Sequence, residues 1–536
     1  MYRNKNVGIT TLLCISFMVM LTFSSQGNAA PLPDQSQGDE KMIRISWPRD
    51  MGDLNPHLYS PNQMFAQAMV YEPLVRYGID GSIHPHLAKR WDISEDGRKF
   101  TFYLREDVEF SDGSPFNAEA VKMNFDAVLN NKARHSWMEI VRQIDGTEII
   151  DEYVFTIVFQ EPYYPALQEL SLIRPFRFLS PAGFPDDGDT SEMIKKPLGT
   201  GPWVLSEQMS NEYAVFERNN RYWGEKPLVD KVWVHIIPDG ETRAMAFEKG
   251  EVDMIFGSGL ISRTAFIRLR ETGNYETAIS EPLATRFMVI NTNRFPTNDL
   301  NVRLAIQHAL NKEEIIGHVF QGLELRADTL FAENFPYCNL GLKPYEYDPA
   351  KTEELLYESG WLMDESSGMR QKNGEILNTD LCFDINNEIH KTLAEIIQSE
   401  LRKLGMQVNL VGEERQSYLD REKYGSFHLI FNNTWGAPYD PHTFVSSMRV
   451  PAHADYQAQQ GLAMKADLDR TIEEVLLSTD EETRQELYRD ILSTLHEQAV
   501  YLPISYETNI AIHHKNVSGV KFATKYEIPL SRVIID

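Results

Sequence analysis

A chain of 536 residues, 42% hydrophobic and 24% charged, has the composition of an ordinary globular protein and is too long for one core, so roughly two to four domains are expected. The formal net charge is −26 at pH 7, and the only charges among residues 1–29 are Arg3 and Lys5, so loss of that segment would deepen the acidity. Such a balance excludes nucleic acid as a partner, because phosphate recognition requires a basic surface.

The first residues read as a secretory signal. Arg3 and Lys5 form the basic start, residues 7–23 the apolar stretch, and Gly27 and Ala29 the small residues before Ala30, which predicts cleavage after Ala29. The apolar stretch is short for a membrane anchor, and Cys14 lies inside it behind the bulky Leu13, which argues against lipidation. No second run of spanning length follows, so the mature chain is expected to be a soluble periplasmic monomer.

After the polar stretch 33–41, strand and helix signals alternate to the end without a fixed repeat, which reads as α/β or α+β. Residues 43–47, 101–104, 154–159 and 232–237 are rich in β-branched and aromatic side chains and predict strands. Asp348, with Pro349 in the first turn and Gly360 at the exit, brackets a helix; the spacing of Thr479 and Glu482 predicts another that starts on a Thr479 cap. Residues 406–411 return to strand character. Outside the signal only Cys338 and Cys382 remain, so there is neither a disulfide framework nor a paired-cysteine zinc site; one bridge or two free thiols both fit.

Residues 435–455, WGAPYDPHTFVSSMRVPAHAD, follow a short apolar strand at 428–431. Gly436, Pro438, Pro441 and Pro451 rule out a long helix, and the segment gathers aromatic rings with His442 and His453. It suits either a ligand-capturing loop or a proline-ordered loop covering a core edge. An enzyme is disfavoured: His496-Glu497 is followed by Gln498, Ala499 and Val500, without the second histidine of a helical zinc protease, and no nucleophile elbow or P-loop occurs.

LAKRWDISEDGRKFTFYLREDVEFSDGSPFNAEAV (87–121), GTGPWVL (199–205), RYWGEKP (221–227), FEKGEVDM (247–254) and YDPAKTEELLYESGW (347–361) occur in this order over nearly the whole mature chain. Together they resemble the extracytoplasmic solute-binding proteins of ABC importers, in the peptide/nickel class. NPHLYSPNQMFAQAMVYEPLV, RHSW, RPFRF, WGAPYDPH and SMRVPAHAD look like its nickel-binding members rather than its peptide binders.

The resemblance implies a two-lobed Venus-flytrap fold with an enlarged first lobe, closing on ligand and presenting it to a membrane permease. Lobe I would take residues 42–283 and the returning 508–536, with lobe II at 284–507. The implied cargo is Ni(II) bound with a small organic chelator such as histidine, with a di- or oligopeptide as the alternative; no catalytic residue or catalytic cofactor is implied. His453 falls on the family's metal-contacting histidine, and one imidazole can complete a coordination sphere supplied mainly by a chelator. Arg134 and Arg174 would grip chelator carboxylates, since a guanidinium fork matches a carboxylate, although a salt bridge to an acidic side chain is the commoner use of an arginine. For Arg177 a structural role is equally plausible. Trp47, Tyr59, Met64, Trp137, Trp435 and Tyr439 would wall the pocket. The pairs His84/His86 and His513/His514 are expected to be exposed side chains and not metal ligands.

Overall fold

The computed structural model describes residues 40–59, 63–435 and 440–536. The signal segment and Tyr439 therefore lie outside the described residues.

The β-branched stretch at 43–47 forms the strand Met42–Trp47, which runs parallel to Lys231–Ile236 with Ile43 opposite Val232. These two strands lie in a seven-stranded sheet of order Glu276–Ile279, Ile510–His513, Met254–Phe256, Met42–Trp47, Lys231–Ile236, Tyr213–Arg218, Trp203–Met209. A second, six-stranded sheet has the order Leu325–Arg326, Tyr501–Glu507, Ala284–Ile290, Leu429–Asn433, Asn378–Asp384, Gln407–Glu413. Every residue of Ala284–Ile290 is buried, as a central strand covered on both faces must be. Ala88–Ile93, Lys99–Leu104, Val154–Phe159 and Ile144–Asp151 make a four-stranded antiparallel sheet. This sheet enlarges the first lobe: Met123 and Ala127, on the helix Ala118–Asn130 that packs on it, also reach the core of the seven-stranded sheet.

The chain leaves the seven-stranded sheet after Ile279, enters the six-stranded sheet at Ala284, and returns between Glu507 and Ile510. The two crossings run side by side. Ser280 N–H donates to Asn509 O at 2.9 Å, Asn509 N–H to Ser280 Oγ at 2.8 Å, and Leu283 N–H to Glu507 O at 2.9 Å. Two narrow strands of backbone joining two sheets is hinge geometry, and the fold is mixed α/β in two lobes.

Asp348 caps the helix Pro349–Glu358 by accepting from Lys351 N–H, and Gly360 leaves it at φ +80°. The other cap falls one residue later than its spacing suggests: Asp480, not Thr479, starts Glu481–Glu497 and accepts from Thr483 N–H at 2.8 Å. A carboxylate answers the positive end of the helix better than a hydroxyl does. Among the described residues of 435–455 there is no long helix, but the short helices His442–Ser447 and Ala454–Gln459 begin there, so this part is less irregular than its prolines suggest. Cys338 and Cys382 are separate buried thiols.

The histidine pairs also depart from expectation. His84 is exposed, but His86 turns inward, buried, with its Nε2 2.8 Å from Glu72. Burial of Glu72 would raise its carboxyl, yet His86 and the neighbouring donors outweigh this and hold it below the usual range. His513 is buried on its strand, and His514 is half-buried with Nε2 on Phe247 O at 2.9 Å. Each has a structural use that the proline and the run of two histidines conceal.

Candidate ligand-binding site

Trp435 leaves the end of the strand Leu429–Asn433 in the second lobe, and Trp137 lies in the turn before the helix Glu139–Gln143 in the first. Their rings meet edge to face with centroids 6.2 Å apart. From Trp137 the aromatic contact continues to Tyr59 at 5.7 Å, and from Trp435 to the His453 imidazole, stacked at 5.7 Å and 27°. Arg174 closes the first-lobe end, its guanidinium carbon 4.8 Å from the Tyr59 ring centroid and its Nη1 donating to Tyr59 O at 2.5 Å. A single path thus runs Arg174, Tyr59, Trp137, Trp435, His453 from one lobe to the other.

His453 is half-buried, and burial lowers its pKa, so the ring stays neutral. Its backbone caps the helix Ala454–Gln459, but among the described residues its ring makes no hydrogen bond. A neutral imidazole with an uncommitted lone pair, braced on an indole, can act as a metal ligand. His442 cannot. Both its ring nitrogens are engaged, Nδ1 with Asp440 at 2.8 Å and Nε2 with Thr443 Oγ1 at 2.9 Å and Glu169 at 3.4 Å. Burial would lower its pKa, but the two carboxylates outweigh that and raise it to about 9.

The three arginines separate clearly. Arg177 is fully enclosed and spends its guanidinium on the carbonyls of Leu172, Tyr71 and Ser171 at 2.8, 3.1 and 3.1 Å, so it braces the backbone. Arg174 has no carboxylate within 4 Å among the described residues, and burial lowers its pKa. The common salt-bridged fate of an arginine does not apply to it. Arg134 is exposed on the same turn as Trp137, likewise without an acidic partner among the described residues.

Trp47 and Met64 are half-buried and adjoin each other through Gln63, whose Oε1 accepts from Trp47 Nε1 at 2.8 Å one residue before Met64 opens its helix. Trp47 packs on Phe65 at 4.4 Å, and among the described residues neither Trp47 nor Met64 has a ring contact with the aromatic path. Tyr439 lies outside the described residues. Sequence reasoning missed His135, which is fully buried with Nδ1 2.5 Å from the Tyr59 hydroxyl. Its only signal was its place beside Arg134 in RHSW.

Among the described residues no three His, Cys, Asp or Glu side chains converge to hold a metal ion. The path and the nearby Arg134 offer one nitrogen ligand, two guanidinium groups without a carboxylate partner among the described residues, and apolar walls, a composition suited to an organic anion that carries its own donors.

Residues 82–456 match the family of bacterial extracellular solute-binding proteins, family 5, and the chain belongs to that family. It is a solute-binding protein and not an enzyme. It is 48% identical over 524 residues, 97% of each chain, to the nickel-binding periplasmic protein of Escherichia coli strain K12, and 25% identical to the dipeptide-binding protein of the same strain, over 87% of this chain and 89% of that one. The crystal structure of NikA from Brucella suis in complex with Fe(III)-EDTA shares 52% identity and a TM-score of 0.90, covering 93% of this chain and 100% of that one. NikZ from Campylobacter jejuni in complex with Ni(L-His), at 23% identity and a TM-score of 0.74 over 93% and 100% of the two chains, shares the fold.

Proposed function

We propose that this protein captures a nickel chelate outside the cytoplasm and delivers it, as a monomer, to the permease of an ABC importer. The observation that carries the reading is the neutral His453 ring, free of hydrogen bonds among the described residues, at the far end of an aromatic path from Arg174, which has no carboxylate partner among the described residues. The similarity to a nickel-binding periplasmic protein over 97% of both chains supports it. In this reading His453 gives the one coordinate bond from protein to Ni(II), Arg134 and Arg174 hold the chelator's carboxylates, and Trp47, Tyr59, Met64, Trp137, Trp435 and Tyr439 exclude water. The lobes divide at 42–283 with 508–536, and 284–507, and the signal is cleaved after Ala29.

A peptide fits less well. Its ammonium terminus needs a carboxylate, and Glu169, whose charge reaches Tyr59, is already engaged by His442 and by Ile140 N–H at 2.8 Å. Thermal unfolding with Ni(II) alone, Ni(II) with L-histidine, and a dipeptide separates the cases. At about a hundred times its dissociation constant the bound ligand adds about 2.7 kcal/mol of stability. The chelate should give the large shift; equal shifts for bare metal and chelate, or a larger one for the dipeptide, contradict the reading.

A further inference from the structure

Glu169 and His442 are 1% and 0% exposed, yet they come from different lobes. Glu169 lies on Ala166–Leu170, just after Tyr163, whose ring packs 6.1 Å from Phe159 of the four-stranded sheet. His442 opens His442–Ser447, where Phe444 packs 5.7 Å from Phe287 of the central strand Ala284–Ile290. Beside them Tyr164 crosses the same seam, its hydroxyl 2.5 Å from that of Tyr488 on Glu481–Glu497 and its ring 6.4 Å from His442.

The His442 ring stands between Asp440 of its own lobe at 2.8 Å and Glu169 of the other at 3.4 Å. The second Glu169 oxygen accepts from Ile140 N–H at 2.8 Å. Three ligand-bearing segments meet here: Ile140 follows the Arg134–Trp137 turn, Glu169 precedes Arg174, and Asp440 follows Trp435. Charges enclosed in this way are tolerated only as a complete set, because each loses its water on burial. When the lobes part, His442 keeps Asp440 and Glu169 keeps Ile140 N–H. The contact between His442 and Glu169 would then break, together with the Tyr164–Tyr488 contact beside it.

We propose that Glu169 and His442 form a latch across the cleft, positioning residues that lock the closed lobes around the cargo without touching it. The proposal takes its cargo from the functional reading above, but its geometry is independent of which chelate is carried. Protonation of His442 up to about pH 9 keeps the latch charged over the ordinary range.

The test is Glu169→Gln, which retains an acceptor for Ile140 N–H and removes the charge facing His442, with Glu169→Asp as the second variant should the first not fold. Ni(II) with L-histidine and Fe(III)-EDTA serve as probes, read by stopped-flow tryptophan fluorescence, small-angle scattering and melting. Expected are a wild-type melting temperature without ligand, dissociation of a bound probe faster by about tenfold or more, a more open liganded shape, and an unchanged nickel ligand-field spectrum. An unliganded melting temperature lowered as much as the liganded one would make the contact permanent packing and overturn the latch. So would an unchanged dissociation rate. If neither probe closes the wild type, the functional reading fails instead, and a lowered melting temperature of the unliganded variant still overturns the latch.

Discussion

Replacing Arg174 with alanine separates binding from stability. The wild-type guanidinium donates through Nη1 to Tyr59 O at 2.5 Å and lies 4.8 Å from the Tyr59 ring centroid, leaving its remaining donors without an acidic partner among the described residues. Removing it from the unliganded protein loses one backbone hydrogen bond and one cation–π contact, each worth about 1 kcal/mol, and this is partly offset because the buried charge no longer has to be desolvated. Melting should therefore move only slightly. Removing it from the complex deletes the charge-assisted bonds to a chelator carboxylate, about 1.5–3 kcal/mol, or roughly tenfold to a hundredfold in affinity. Arg174→Lys keeps the charge but loses the planar fork and should fall between the two. Calorimetric titration with Ni(II)–L-histidine at pH 7 measures the effect. An Arg174→Ala protein that binds within twofold of wild type would refute the assignment, and one that unfolds would show that Arg174 is structural.

His453→Ala should alter the ligand-field spectrum of bound nickel and weaken the chelate while sparing the metal-free chelator; an unchanged spectrum would remove His453 from the coordination sphere. Arg177→Ala should do the reverse, destabilising the fold by about 2–4 kcal/mol because three carbonyls lose a buried cationic donor, and a binding defect in a protein of normal stability would contradict this. Burial lowers the pKa of His57, His135, His235 and His390 to about 4 each. The unfolded chain takes up those protons near pH 6.5, so melting temperature should fall as pH drops from there toward 4; a flat profile from pH 7 to 4.5 would show the four rings to be hydrated. His442 has the opposite sign: its raised pKa adds stability below about pH 6.5 that is lost as pH rises through about 9, where Glu169, Asp440 and Tyr164 face it. Glu169→Gln should flatten that alkaline limb in the liganded protein.

Strands were legible where β-branched residues cluster, as at Val154–Phe159, and the helix at Pro349–Glu358 was legible from its cap and exit glycine. The Asp480 cap was off by one residue because Thr479 and Asp480 are both good caps, and sequence spacing does not say which carries the extended backbone. The two-lobe layout came from resemblance and not from patterning, since the crossings after Ile279 and Glu507 carry no shift in composition. In the site, Trp137, Trp435, His453 and Arg174 were named, but the groups that hold it together were not. His135 meets Tyr59 across 76 residues of chain, and Glu169 meets His442 although the two stand on different lobes far apart in sequence. Contacts of that range leave no local pattern to read.

The central claim is that one protein imidazole and a carboxylate-bearing chelator share the metal, and anomalous diffraction at the nickel edge from crystals grown with Ni(II) and L-histidine tests it most directly. The account predicts a single strong peak about 2.1 Å from a ring nitrogen of His453, chelator carboxylates against Arg174 and Arg134, and no other protein atom on the metal. A peak away from His453, a metal held by several protein side chains, or a peptide lying in the cleft would contradict it.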